Sequence, residues 1–144
     1  MAKKTSRTVS LIKPDVSDDD RIVARIIMLY IRAGLEMRKI KKFKMDEKLF
    51  KAFYGEHKGK PFYDVLKSFS TSGWMYGFLW QLDGEGAVEL VRRINGATDP
   101  AKARIGTIRH IFGDNMPGFM HRNAVHGSDS AKAAEKEELL IFCN

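Results

Sequence analysis

The sequence predicts an α+β fold, a four-stranded antiparallel sheet of the split βαβ type with helices packed against it. Three observations lead there. Runs with strand character, rich in β-branched and aromatic residues, recur at residues 8–13, 36–43, 74–82 and 124–126. Between them lie segments whose apolar residues repeat at helical spacing. No internal repeat, low-complexity tract or linker interrupts the 144 residues, so the whole chain, 1–144, is expected to form one domain.

Residues 8–13 (TVSLIK) stop at Pro14, which puts Lys13 at the carboxyl end of the first strand. Ser17, Asp18, Asp19 and Asp20 then supply an N-cap and negative charge for a helix start. Gly34 is a suitable stop after Ala33. The polar stripe of this helix is narrow, essentially Arg21, Arg25 and Arg32. The apolar face around it is wider than one sheet covers, which points to a subunit interface. The second strand carries Arg38, Lys39, Lys41, Lys42 and Lys44, a pattern that suits a solvated charged edge or a polyanion patch. Asp46 begins a helix with Leu49, Phe50 and Phe53. Pro61 suits the first position of another, through Val65, Leu66 and Phe69 to Ser72-Gly73. Residues 74–82 have the aromatic and apolar character of a central strand. The stripe of Ala87, Val88, Leu90, Val91 and Ile94 is a helix ending at Gly96. From 97 to 122 no regular structure is readable, and a loop of that length is functional or disordered. Ser130 opens a terminal helix.

Composition narrows the function classes. Hydrophobic residues make up 44% and charged residues 30%, as in an ordinary globular protein. The longest apolar run falls short of the roughly 20 residues a membrane helix needs. The basic N-terminus has no apolar segment behind it, so no signal peptide is expected. Cys143 is the lone cysteine, which excludes a disulfide framework within the chain and suits a reducing, cytoplasmic setting. The net charge of +7 suits polyanions, nucleotides among them, and also serves solubility. No Gly-rich phosphate loop of the P-loop or Rossmann kind is present, so phosphate must be held by arginine and lysine side chains.

The stretch Asn123-Ala124-Val125-His126-Gly127-Ser128-Asp129-Ser130 is where chemistry concentrates. A histidine among small and hydroxylated residues, just ahead of a helix, is either a capping residue or an accessible nucleophile. On the terminal helix Ser130, Ala133, Ala134 and Glu137 share one stripe, which half-buries Glu137 and obliges it to find a partner. A ring N–H of His126 is a suitable one, because it fixes the tautomer and strengthens the other nitrogen as a nucleophile. His57, His110 and His121 form no ligand pair at helical spacing, so no protein-held metal is expected, and any Mg²⁺ would travel with substrate phosphates. Phe53, Tyr54, Phe62 and Tyr63 are core aromatics unless one of them, near the Pro61 turn, stacks on a nucleobase. Arg92 and Arg93 both lie off the apolar stripe, and periodicity does not choose between them.

Several motifs together carry a resemblance. They are Ile12-Lys13-Pro14-Asp15, Tyr54 with Lys60-Pro61-Phe62-Tyr63, and Ser72-Gly73. Gly96-Ala97-Thr98-Asp99-Pro100, Gly106-Thr107-Ile108-Arg109, and NAVHGSDS followed by Ala134-Glu135-Lys136-Glu137 complete the set. In this order and at this spacing they resemble the nucleoside diphosphate kinase family over nearly the whole chain. The resemblance implies a ferredoxin-like core and ping-pong transfer of a γ-phosphoryl group from a nucleoside triphosphate, typically ATP, to a nucleoside diphosphate. His126 matches the family's phosphorylated histidine and Glu137 its orienting carboxylate. Lys13, with Tyr54 beside it, matches the lysine on phosphate and sugar. Arg92, Thr98 and Arg109 match the phosphate ligands, Asn123 the sugar 3′-hydroxyl contact, and Phe62 the base-stacking residue. It also implies a Mg²⁺-bound nucleotide and a homo-oligomer, a tetramer or hexamer built from dimers.

Departures are local. Val16 stands where the family has glycine, Trp74 where it has proline after Ser-Gly, and Ile105 where it has proline before Gly-Thr. The segment 110–122 is about four residues longer than in common members, with Phe119 or Met120 placed to close the far side of the base. Two other readings use the same fold: a nucleic-acid-binding module acting through the basic segment 38–44, and a histidine phosphocarrier to other proteins.

Overall fold

A strand that must pair on both sides gathers β-branched and aromatic residues, and the two central strands do so. In the computed structural model, which describes residues 3–143, β1 (Thr5–Ile12) pairs antiparallel with β3 (Trp74–Asp83) along its whole length. β1 begins earlier than the sequence suggests because Thr5, Ser6 and Arg7 register with Asp83, Leu82 and Gln81. β2 (Glu36–Lys44) and β4 (Val125–Gly127) flank this pair, giving the order β2-β3-β1-β4 with antiparallel neighbours throughout. This is the expected ferredoxin-like sheet.

Alternation along β1 divides the core. Val9 and Leu11 face a cluster with Phe50, Phe53 and Tyr54 of α2 (Glu47–Tyr54), Tyr63 and Leu66 of α3 (Tyr63–Ser70), and Ile141 of α6 (Ala131–Phe142). Ile12 faces the other way, toward Val23, Ile26 and Tyr30 of α1 (Asp20–Arg32) and Val91 of α4 (Ala87–Asn95). On that face Trp80 donates its indole N–H to Ser10 Oγ at 2.8 Å, so its buried polar atom is satisfied.

Asp19, Asp46 and Ser130 cap α1, α2 and α6, their side chains accepting from Arg21 N, Leu49 N and Ala133 N. Three expectations need correction. Pro61 does not open α3: Pro61 and Phe62 form a turn closed by Tyr63 N to Lys60 O (3.0 Å), and the helix starts at Tyr63. Residues 97–122 are not structureless. They hold a 3₁₀ turn at Pro100–Lys102 and a helix α5 at Ile108–Phe112, capped by Asp99 and Thr107. Five residues are too few to show a helical period. Finally, Ala124 is not in β4, because its φ of 71° is incompatible with a strand.

β2 lies at the sheet edge, as its charge suggests. Lys41 bonds the Ile141 carbonyl at 2.9 Å, and Lys42 and Lys44 lie over the Trp74 ring. On α1, Met28 (49%) and Ile31 (42%) stay exposed, so part of that wide apolar face is uncovered in the monomer. Among the described residues no helix is long and apolar enough to cross a membrane.

Candidate active site

Strand ends are where a sheet stops supplying partners to backbone and side chains, and the site forms there. Lys13 leaves β1, His126 sits in β4 opposite Leu11, and Arg109 and Glu137 arrive from α5 and α6. A cleft of about 1290 Å³ opens above them. Lys13, Tyr54, Phe62, Arg92, Thr98, Arg109, Asn123, His126 and Glu137 all lie on its wall, whereas Arg93 does not. Rings of Phe53 and Tyr54 meet the imidazole edge-on, with centroids 5.0 and 6.1 Å away.

His126 Nε2 lies 2.7 Å from Glu137 Oε1, and Ser128 Oγ donates to the same oxygen at 2.9 Å. The two side chains keep only 20% and 11% of their surface exposed. A carboxylate so enclosed needs donors, and it has two. With Nε2 engaged, Nδ1 is left without a hydrogen-bond partner among the described residues. Gly127 is required beside it, since a Cβ there would meet Asn95 Nδ2 at 2.8 Å and Val91 Cγ1 at 3.1 Å.

The cations are held by oxygens that carry no charge. Lys13 Nζ donates to Asn123 Oδ1 (2.9 Å), and Asn123 Nδ2 donates to the Thr98 carbonyl (2.9 Å). Burial pushes the Lys13 ammonium down to about 8, helped by the Arg109 charge and opposed by Asp15. Arg109 forks between the carbonyls of Gly96 and Val125, each at 2.8 Å, while its Nε is buried without a partner. Burial lowers its affinity for the proton too, though a guanidinium stays charged. Positive charge enclosed this way, without an ion-paired carboxylate, calls for an anionic ligand. The Tyr54 hydroxyl, likewise buried and unpartnered, is held protonated by burial and by the Glu137 charge.

Phe62 is 48% exposed on the cleft wall, unlike the buried Phe53, Tyr54 and Tyr63. Met116 and Met120 also line the cleft, whereas Phe119 does not. Of Phe119 and Met120, the two residues suggested by the sequence, only Met120 is on the cleft wall. His57 and His121 line it too, His57 beside Phe62 (5.6 Å) and His121 against Phe69 (5.1 Å). Burial, then the charges of Lys13 and Arg122, lower the proton affinity of His121. Neither residue belongs to a motif, so local patterns do not point to them. Among the described residues no three His, Cys, Asp or Glu cluster to hold a metal ion.

Comparison with known proteins gives a consistent result. A family model described as nucleoside diphosphate kinase matches residues 6–144. A nucleoside diphosphate kinase from Anaeromyxobacter is 42% identical over 136 residues, covering 94% of this chain and 88% of its own. One from Methanocaldococcus jannaschii is 38% identical, covering 94% and 92%. The structure of a halophilic nucleoside diphosphate kinase from Halobacterium salinarum in complex with CDP is similar, with a TM-score of 0.87 and 36% identity over 98% and 90% of the two chains. That of the Aquifex aeolicus nucleoside diphosphate kinase gives 0.86 and 31% identity over 96% of each.

Proposed function

The chain belongs to the nucleoside diphosphate kinase family and is a phosphotransferase, and on that premise we propose that its reaction runs through a phosphohistidine on His126. The observation that carries this reading is the bond between His126 Nε2 and the enclosed Glu137 carboxylate. It leaves Nδ1 as the free nitrogen of an imidazole on the wall of a cleft that Lys13, Arg92 and Arg109 also line.

In the first half-reaction the Nδ1 lone pair forms a bond to the γ-phosphorus as the bond to the β,γ-bridging oxygen breaks. The nucleoside diphosphate departs with that electron pair. The imidazole keeps its proton on Nε2, and Glu137 offsets the positive charge that develops on the ring. The second half-reaction runs in reverse with another nucleoside diphosphate. A loose phosphoryl-transfer transition state spreads charge over its oxygens and rewards fixed cations. Lys13, Arg92 and Arg109 supply them, with Thr98 and Tyr54 as further phosphate-side contacts. Asn123 and Lys13 address the sugar hydroxyls, and Phe62 stacks on the base. Stacking reads no base edge, which supports use of several nucleotides, and the related structure holding CDP is consistent with this.

Mg²⁺ enters as part of the substrate, on the nucleotide phosphates. The uncovered Met28 and Ile31 support a homo-oligomer, to be measured by light scattering after size exclusion. The lone Cys143 supports a cytoplasmic setting.

Incubation with γ-labelled ATP is expected to leave an acid-labile, base-stable phosphate on the protein. His126→Ala should abolish it with the fold intact, as judged by circular dichroism. Label retained on His126→Ala would overturn the assignment.

A further inference from the structure

Ala124 is the one non-glycine residue with positive φ (71°) among those described, and its side chain is fully buried. Val125 N donates to Asn123 O at 2.8 Å across it, so residues 123–125 form a γ-turn of the rare, strained kind. Both backbone polar groups of Ala124 are tied to the segment just after β1. Its carbonyl accepts from Lys13 N at 2.8 Å, and its N–H donates to Asp15 Oδ2 at 3.0 Å.

The turn separates two halves of the site. Before it, Asn123 holds Lys13 Nζ; after it, the Val125 carbonyl holds Arg109, and His126 follows. Any relaxation of Ala124 toward ordinary backbone angles rotates these halves against each other. Asp15 is itself an unfavourable choice if stability were the only purpose. Its second oxygen, Oδ1, is buried without a partner, and burial holds its carboxyl above the usual range despite the Ala124 N–H and the nearby Lys13. Two costly features facing each other beside a reactive histidine indicate a functional demand rather than a packing one.

We propose that Asp15 is a positioning residue for phosphoryl transfer: it clamps the strained turn at Ala124 and thereby sets the imidazole of His126 against Lys13, Arg109 and Asn123. Asp15 is not on the cleft wall, so it acts through the turn. The inference rests on His126 being the phosphorylated group.

The test is the single-turnover rate of phosphohistidine formation at saturating ATP, well below each variant's melting temperature. Asp15→Ala should slow it tenfold or more. Asp15→Asn keeps an oxygen for the Ala124 N–H and should recover most of the rate. Asp15→Glu keeps the charge but shifts the oxygen by one methylene, and should be slower than Asp15→Asn. Ala124→Gly placed in the Asp15→Ala background should restore part of the loss, because glycine adopts the left-handed angles without strain. A wild-type rate in folded Asp15→Ala overturns the proposal, as does a double variant no faster than Asp15→Ala. If Asp15→Ala does not fold, the other pair decides: Asp15→Glu faster than Asp15→Asn means the residue acts through its charge on Lys13, and the clamp is refuted. Failure of the wild type to label at all sinks the His126 assignment instead, so the two ideas fail separately.

Discussion

Removal of the Glu137 carboxylate tests the most specific contact in the site. Glu137 accepts from His126 Nε2 at 2.7 Å and from Ser128 Oγ at 2.9 Å, both in a largely enclosed setting. A hydrogen bond to a charged partner contributes about 1.5–3 kcal/mol net. The imidazole becomes positive only as its other nitrogen bonds to phosphorus, so most of that contribution appears in the transition state. Every 1.4 kcal/mol or so changes a rate tenfold, which gives a slowing of roughly 10- to 150-fold for Glu137→Ala. Glu137→Gln retains an acceptor without full charge and should fall between that variant and the wild type. Rapid-quench measurement of label transfer from ATP reads the step directly, and the nucleotide dissociation constant should hardly move. The reasoning fails if Glu137→Ala labels at the wild-type rate, or if its whole defect lies in nucleotide affinity.

The other predictions follow from the cleft walls. Lys13 titrates near 8 in the empty protein, so KM for nucleoside diphosphates should rise as pH climbs past 8 and the ammonium is lost. The same shift acts on folding. Between about 8 and the ordinary lysine value of 10.5 the unfolded chain binds the extra proton, so this group's contribution makes the fold more stable with rising pH, which denaturant titrations check. Arg109→Lys cannot bridge the carbonyls of Gly96 and Val125 together, and kcat/KM should drop by about 10- to 100-fold. Phe62→Ala should raise KM for every base alike by about fivefold or more, since stacking contributes about 1–3 kcal/mol whichever base is bound. Gly127→Ala drives a methyl into Asn95 and Val91 and should cost about 1–3 kcal/mol of stability, read as a lower midpoint in urea.

How much of this was legible beforehand depended on the range of the interaction involved. Lys13 at a strand end, Glu137 on a stripe of small residues and the caps of α1, α2 and α6 follow from local spacing. The order of the long strands along the chain followed as well, because each run spans many residues, although the start of β1 did not. Local patterns could not show α5, which is shorter than the window that reveals a helical period. Nor could they choose between Arg92 and Arg93, a matter of where α4 meets the cleft. The turn at Ala124 was the furthest from reach: nothing in an alanine announces left-handed angles, and its holder, Asp15, is 109 positions away. His121 reached the cleft through an irregular loop that no pattern describes.

The enclosed charges of Lys13 and Arg109 also bear on the lifetime of the protein in a cell. An empty cleft leaves that repulsion and lost hydration unrelieved, whereas an occupant rich in negative oxygens cancels both. A ligand that recognises only the native state, at a hundredfold excess over its dissociation constant, adds about 2.7 kcal/mol to the folding equilibrium by mass action. Metabolic starvation that drains such anions would leave these molecules easier prey for proteases, and abundance of the catalyst would then track supply of what it consumes.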